Sequence, residues 1–260
     1  MGYFKTLVKR SISPAYHYDE STYTNSFISN VPLQSIEVGK GEIDRKIYCC
    51  WTGENEMSAD RFKAFEALKE KVKVEVVLVT PKNLNDFIHP NFPLHKGFPY
   101  LSLIQKSDYL RCYLMHHYGG GYTDIKVFNS SWEPAFKKLE KNSDKWAIGF
   151  REIGKRGVAL VDDAVGDDLK KFWHLLLGNC SFICRPYTPL THEWYAELLK
   201  RMDFYYEDLV KNPGDAFGSN PGYAIPWAYI MGHIFHPLCL KYHNRLLYSR
   251  KLKFVPKSYR

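Results

Sequence analysis

The first regular pattern of apolar positions lies at residues 46–51, KIYCCW, a short β-type run closed by Thr52 and Gly53. Over 58–70, SADRFKAFEALKE, Phe62, Phe65 and Leu68 recur at helical spacing, and Ser58 offers the hydroxyl that caps a first turn. Residues 72–80, VKVEVVLVT, carry the clearest strand pattern in the chain, stopped by Pro81. Strand, helix and strand within about 35 residues predict a βαβ unit, hence a parallel sheet with a right-handed crossover.

Four prolines make 81–100 a loop with short turns. The pattern then predicts a helix over 101–118 stopped by Gly119, Gly120 and Gly121, a strand over 122–128, a short helix over 134–139 and a strand over 146–151. Charged, glycine-punctuated residues 152–171 predict a loop, 179–184 a strand and 189–201 a helix. In the last sixty residues Pro213, Pro221, Pro226 and Pro237 argue against long regular elements. No linker separates domains. The expectation is an α/β, Rossmann-type single domain over 41–260 with a mainly parallel central sheet, preceded by an irregular arm over 1–40.

Composition narrows this only a little. Of 260 residues, 45% are hydrophobic and 16% aromatic, enough for a substantial core. A net charge of +8 suits nucleic acid, anionic membrane or phosphorylated substrates without choosing among them. The cations are scattered and no nucleic-acid-binding module is recognisable, so no nucleic-acid partner is expected. Cys49, Cys50, Cys112, Cys180, Cys184 and Cys239 form no C-x-x-C pair and read as buried free thiols of a reducing compartment.

There is no apolar run near the ~20 residues that span a bilayer, and the N-terminus has no signal-peptide core. A cytoplasmic location is expected, with two features that would bring the chain to a membrane surface. Gly2 and Thr6 fit the myristoylation pattern, with Lys9 and Arg10 behind them, although coincidence with so short a motif explains them as well. The tail over 245–260 is basic and aromatic, either a solvated end or a peripheral membrane contact.

Charge matters most around the glycines. Asp108 and Arg111 lie three apart on one helix face, an arrangement that by itself would be an ordinary surface ion pair. Side chains alternate along a strand, so Asp124 and Lys126 fall on one face. Ligands of open α/β sheets bind beyond the carboxyl ends of strands. An acid there can hold a cation or a ribose hydroxyl, and a lysine can neutralise a diphosphate. The bland alternative is a simple Asp–Lys pair at a strand end.

Taken whole, SDYLRCYLMHHYGGGYTDIKV resembles glycosyltransferases with a DXD sugar-binding region, among them glycosyltransferase family 32 and the capsular polysaccharide synthesis proteins. Ser107, Asp108, Arg111, Tyr118, Gly119, Gly120, Tyr122 and Asp124 match residue by residue, and Lys126 replaces the second acid. KIYCCWTG is similar to the family's first strand, and GNCSFICRPYTPLTHEW to a later segment, so the likeness covers roughly 44–200.

The resemblance implies a GT-A-like fold, a nucleotide-sugar donor, a glycan or polysaccharide acceptor and retention at the anomeric carbon. It also implies a divalent cation, manganese or magnesium, at Asp124. By the same analogy Asp108, Arg111, Asp124 and Lys126 serve catalysis, and Trp51, Gly53, Ser107, Asp108, Arg111, Gly120, Tyr122, Asp124 and Asn179 bind the donor. Trp51 reads equally as a core tryptophan and Asn179 as a turn cap. Lys126 would then supply charge that a metal supplies elsewhere, with His233, His236 and Asp215 as distant candidates to complete a metal shell. Asp162, Asp163, Asp167 and Asp168 form an acidic loop whose ordinary role is solvation. Two other classes stay open: a relative that binds a sugar nucleotide without transferring it, and a basic nucleic-acid-binding protein.

Overall fold

The computed structural model, which describes residues 15–29 and 43–255, starts its sheet where the alternation starts, at β1 (Lys46–Cys50). Ser58 caps α1 (Ala59–Val72) by accepting from the Arg61 N–H, and β2 (Glu75–Val79) returns parallel to β1. Next come α2 (Leu103–His117), β3 (Gly120–Thr123), α3 (Glu133–Glu140) and β4 (Ala147–Arg151). The chain continues through α4 (Asp163–Lys171), β5 (Leu177–Cys184), α5 (Pro189–Lys211), α6 (Gly232–Lys241) and β6 (Leu246–Tyr248). The result is an α/β domain with one six-stranded, mixed and mostly parallel sheet in the order β2-β1-β3-β5-β4-β6. Only β5 runs against its neighbours, antiparallel to both β3 and β4.

Alternation along the strands sorts the core into two layers. Ile47 and Cys49 point to one side, where they join Phe65 and Leu68 of α1 and Phe136 and Leu139 of α3. Tyr48 points to the other, into the larger cluster with Tyr109 of α2, Trp194 of α5 and Phe235 of α6. Phe182 and Ile183 of β5 divide between the same two clusters. Helices therefore cover both faces, as a largely parallel sheet requires.

Several boundaries differ from expectation. Val72 completes α1 rather than starting a strand, and Lys73 turns the chain in a left-handed conformation (φ 56°). β3 ends at Thr123 instead of running to 128. The Asp124 N–H still reaches Cys180 O at 3.0 Å, after which Ile125 and Phe128 drop into the α1–α3 core. Part of the supposed loop over 152–171 is α4, and α5 runs ten residues past its expected end at 201, to Lys211. Pro237 sits inside α6, which the prolines argued against. It gives up one backbone bond in a helix whose Ile234, Phe235, Leu238, Cys239 and Leu240 are all fully buried.

The arm expected over 1–40 is described only at 15–29, where Tyr23 donates to Asp168 at 2.7 Å; the Gly2–Thr6 pattern lies outside the described residues. In the tail, Leu252 is fully buried and Phe254 packs on Phe150. All six thiols are free.

The turn between α2 and β3 is the tightest constraint. Gly119 and Gly120 both have left-handed backbone (φ 68° and 76°). A Cβ on Gly120 would lie 2.8 Å from Lys46 O, and one on Gly119 2.5 Å from Pro186 Cδ. These glycines start the strand rather than only stopping the helix, since β3 begins at Gly120. Gly120→Ala is expected to lose about 1–3 kcal/mol in urea unfolding, through strain at φ > 0 plus the backbone clash. Gly154→Ala, where a Cβ meets nothing within 4 Å, should stay within about 0.5 kcal/mol of wild type.

Candidate functional site

Because β1 and β3 are parallel, their carboxyl ends lie side by side; because β5 is antiparallel, its early residues come alongside them. At this edge opens a cleft of about 960 Å³. One wall is the loop after β1, with Trp51, Thr52, Gly53 and Asn55, together with Arg61 from α1. The floor holds Ser107, Asp108 and Arg111 of α2, Tyr122 and Asp124 from β3 and its exit, and Asn179 of β5. A further wall comes from the last third of the chain, with Phe217, Trp227 and the start of α6.

The floor is organised around one guanidinium. Arg111 Nη2 stands 3.0 Å from Asp108 Oδ1 and 3.3 Å from Asp124 Oδ1, and Nη1 donates to Asn179 O at 2.8 Å. Its plane lies over the Tyr122 ring, Cζ 4.5 Å from the centroid. The Tyr122 hydroxyl shares a hydrogen bond with Ser107 Oγ (2.9 Å) and donates to Asp124 Oδ1 (3.2 Å). Asp108 and Arg111 are each only 7% exposed, so the solvated surface pair that the helix spacing alone suggested does not occur. Burial pushes the Asp108 carboxyl up to about 6, with Arg111 opposing and Asp124 reinforcing the shift. Burial likewise pushes the Cys50 and Cys180 thiols up to about 12, which keeps them protonated and poor nucleophiles.

Lys126 meets Asp124, though not by strand alternation, since both lie beyond β3. Its ammonium is 3.3 Å from Asp124 Oδ2 and 4.1 Å from the centre of the Phe254 ring. It does not line the cleft. Asp124 thus has Oδ1 facing Arg111 and Tyr122, and Oδ2 facing Lys126. Among the described residues no group of three or more His, Cys, Asp or Glu side chains is disposed to hold a metal. Asp124 is flanked by Arg111 and Lys126, and the one other carboxylate beside it, Asp108, is held by the same Arg111; two acids paired to cations in this way are a poor donor set for a hard divalent ion, which takes several oxygens. The donor set here does not fit the cation that the resemblance implied.

The other expected residues divide. Trp51, Gly53, Ser107 and Asn179 line the cleft. The Trp51 indole donates to Asn55 O at 2.7 Å, which fixes its ring at the edge. Asn179 Oδ1 has no hydrogen-bond partner among the described residues. Gly120 stands apart, packed on the β1 backbone, and its part in the site is to set the turn. His236 is fully buried and accepts from Ala159 N–H, and Asp215 ties its own loop together, so neither serves Asp124. Asp168 holds Tyr23.

Sequence reasoning missed Arg61, which lines the cleft and donates to Ile125 O at 3.0 Å. As one of 36 Lys and Arg residues on a mixed-charge helix it carried no signal. Phe217 and Trp227 were missed as well.

Residues 8–149, just over half the chain, match the family described as capsular polysaccharide synthesis protein. The chain belongs to that family. The match takes in the α2–β3 unit with Asp108, Arg111 and Asp124, and stops before β5 and the wall from the last third of the chain. No curated protein matches the chain. A capsular polysaccharide synthesis protein has sugars as its natural substrates, and membership agrees with a glycosyltransferase role. Among the described residues no helix is long and apolar enough to cross a membrane.

The raised Asp108 carboxyl gives a signed prediction. The unfolded chain ionises this group near pH 4 and the folded chain near pH 6, so the folded state binds the proton more tightly. Its contribution is therefore fully present below about pH 4 and is lost as pH rises to about 6. Compared with Asp108→Asn by urea unfolding across this window, wild type should lose up to about 3 kcal/mol relative to the variant.

Proposed function

We propose that the protein is a glycosyltransferase that moves a sugar from a nucleotide-sugar donor to a glycan or polysaccharide acceptor, with retention at the anomeric carbon. The observation that carries the reading is the buried Asp108–Arg111–Asp124 arrangement at the base of a cleft edged by Trp51. The nucleobase lies against Trp51, where Gly53 permits close approach. Asp124 and the unpartnered Asn179 Oδ1 accept hydrogen bonds from ribose or sugar hydroxyls.

Breaking the bond from sugar to diphosphate builds negative charge on the leaving phosphate, and fixed cations stabilise it. Arg61 at the wall supplies that charge directly. Arg111 and Lys126 balance Asp124, so that the carboxylate does not repel the diphosphate. The leaving phosphate can take the acceptor's proton, so no further side-chain base is required. In this reading the role of a divalent cation falls largely to side chains.

A thermal-shift screen of nucleotide sugars tests it. A true donor at about 100 times its Kd adds about 2.7 kcal/mol of stability, a rise of several degrees. The rise should persist in a chelator, shrink in Arg61→Ala, and become manganese-dependent in Lys126→Asp, which restores a second acid. No response from any nucleotide sugar, with or without manganese, would refute the reading. A response that is abolished by chelator and unaffected by Lys126→Ala would refute the side-chain charge scheme alone.

A second reading is a relative that binds the donor without transferring it, favoured by the engagement of both Asp124 oxygens within the protein. Donor hydrolysis in the absence of acceptor separates the two: slow hydrolysis lost in Asp124→Asn belongs to a transferase, none at all to a silent binder.

A further inference from the structure

The part of the cleft lining that comes from the last third of the chain has two large aromatic side chains turned to solvent. Trp227 is 67% exposed and Phe217 63%, and both line the cleft. Exposed aromatics scattered singly need no explanation, but two bordering the same concave site do.

Neither is held out by a loose loop. In the Phe217 loop, Asp215 accepts from the Phe217 and Ser219 N–H groups at 2.9 and 3.0 Å, and the Asp215 N–H donates to Asn220 Oδ1 at 2.9 Å. Asn220 in turn donates to Pro213 O, and Gly214 N–H to Tyr100 O. Trp227 lies between Pro226, whose carbonyl accepts from Gln105 Nε2 at 3.3 Å, and Ala228, whose backbone is left-handed (φ 60°). Gln105 also accepts from Tyr223 OH, which closes the Phe217 loop against Ser102. One side chain of α2, a turn before Asp108, thus braces both aromatic segments against the helix that carries the ionic floor. The cost of ordering the backbone that carries these rings is met in the free protein.

We propose that Trp227 and Phe217 form the platform on which the acceptor glycan stacks, beside the donor. The apolar face of a pyranose fits a flat aromatic surface rimmed by water. The platform continues the same cleft as the charged floor, so a stacked sugar presents its hydroxyl toward the donor's anomeric carbon. The inference rests on the transferase reading for what lies beside it, and deepens it by assigning the acceptor side.

The full chain and its Trp227→Ala, Trp227→Tyr, Phe217→Ala and Leu160→Ala variants decide the matter. Leu160 is 74% exposed and does not line the cleft, so it serves as an apolar surface control. Calorimetry with cellopentaose, chitopentaose and maltopentaose should show binding of at least one by wild type, weakened about fivefold or more in the two alanine variants. Trp227→Tyr should recover most of the affinity, and Leu160→Ala should match wild type. Stabilisation by UDP-glucose or GDP-mannose should be the same in all five proteins.

Pentaose binding that ignores both alanine variants overturns the proposal, as does the absence of any pentaose binding. So does loss of sedimentation with phosphatidylglycerol vesicles in those variants with pentaose binding intact, which would make the wall a membrane contact. If no nucleotide sugar stabilises wild type while the pentaose results hold, the transferase reading fails and the sugar platform stands.

Discussion

Everything at the base of the cleft depends on keeping one arginine charged out of water. Arg111 is 7% exposed and has two carboxylates, a backbone carbonyl and a tyrosine ring around it. Removing a guanidinium from water costs several kcal/mol, and a buried ion pair recovers this only with good geometry and further hydrogen bonds. Such a group adds little to net stability. It does hold three elements at fixed separations, because any drift of α2, β3 or β5 leaves a buried charge without its partner. Asp108 comes from the helix, Asp124 from the exit of β3 and Asn179 O from β5.

The surrounding fold supplies that register. Two left-handed glycines let α2 reverse straight into β3 while the carbonyls of Asp44 and Lys46, at the start of β1, pass close to the turn. The antiparallel β5 then brings its early residues, rather than its late ones, beside Asp124. An all-parallel sheet would have put the amino end of the neighbouring strand far from this edge. The single reversed strand in the sheet is therefore tied to the chemistry of the site.

Legibility in the sequence followed the range of the interactions. The α1 cap, the βαβ unit and the Ser107–Asp124 cluster could all be read, because each is set by residues within about one element of one another. The end of β3 at Thr123 could not, since the chain leaves the sheet to bury Ile125 and Phe128 against α1 and α3, contacts remote in sequence. α6 was hidden for a similar reason: burial of its apolar residues outweighs the bond that Pro237 lacks. Local spacing placed Asp108 and Arg111 on one helix face but left their exposure open; the packing of α2 against the sheet, a tertiary contact, makes the pair buried. Arg61, Phe217 and Trp227 enter the cleft through tertiary folding alone, and nothing adjacent to them in the chain marks them out.

The pairing of Asp124 with Lys126 follows from the same electrostatics. With Arg111 alone, Asp124 and Asp108 would leave the floor with a net negative charge, hostile to a diphosphate unless a cation were bound. A second acid would make that deficit larger; a lysine removes it. At 3.3 Å from Asp124 Oδ2 and tucked beside Phe254, Lys126 neutralises the carboxylate without occupying the space where a ligand would lie. Arg61 is then left as the cation on the cleft wall itself, placed there by α1 and by its bond to Ile125 O, one residue past Asp124. In the proposed reading, the substitution within the motif and the arginine outside it work as one arrangement, in which the positive charge that a diphosphate needs is covalently part of the chain.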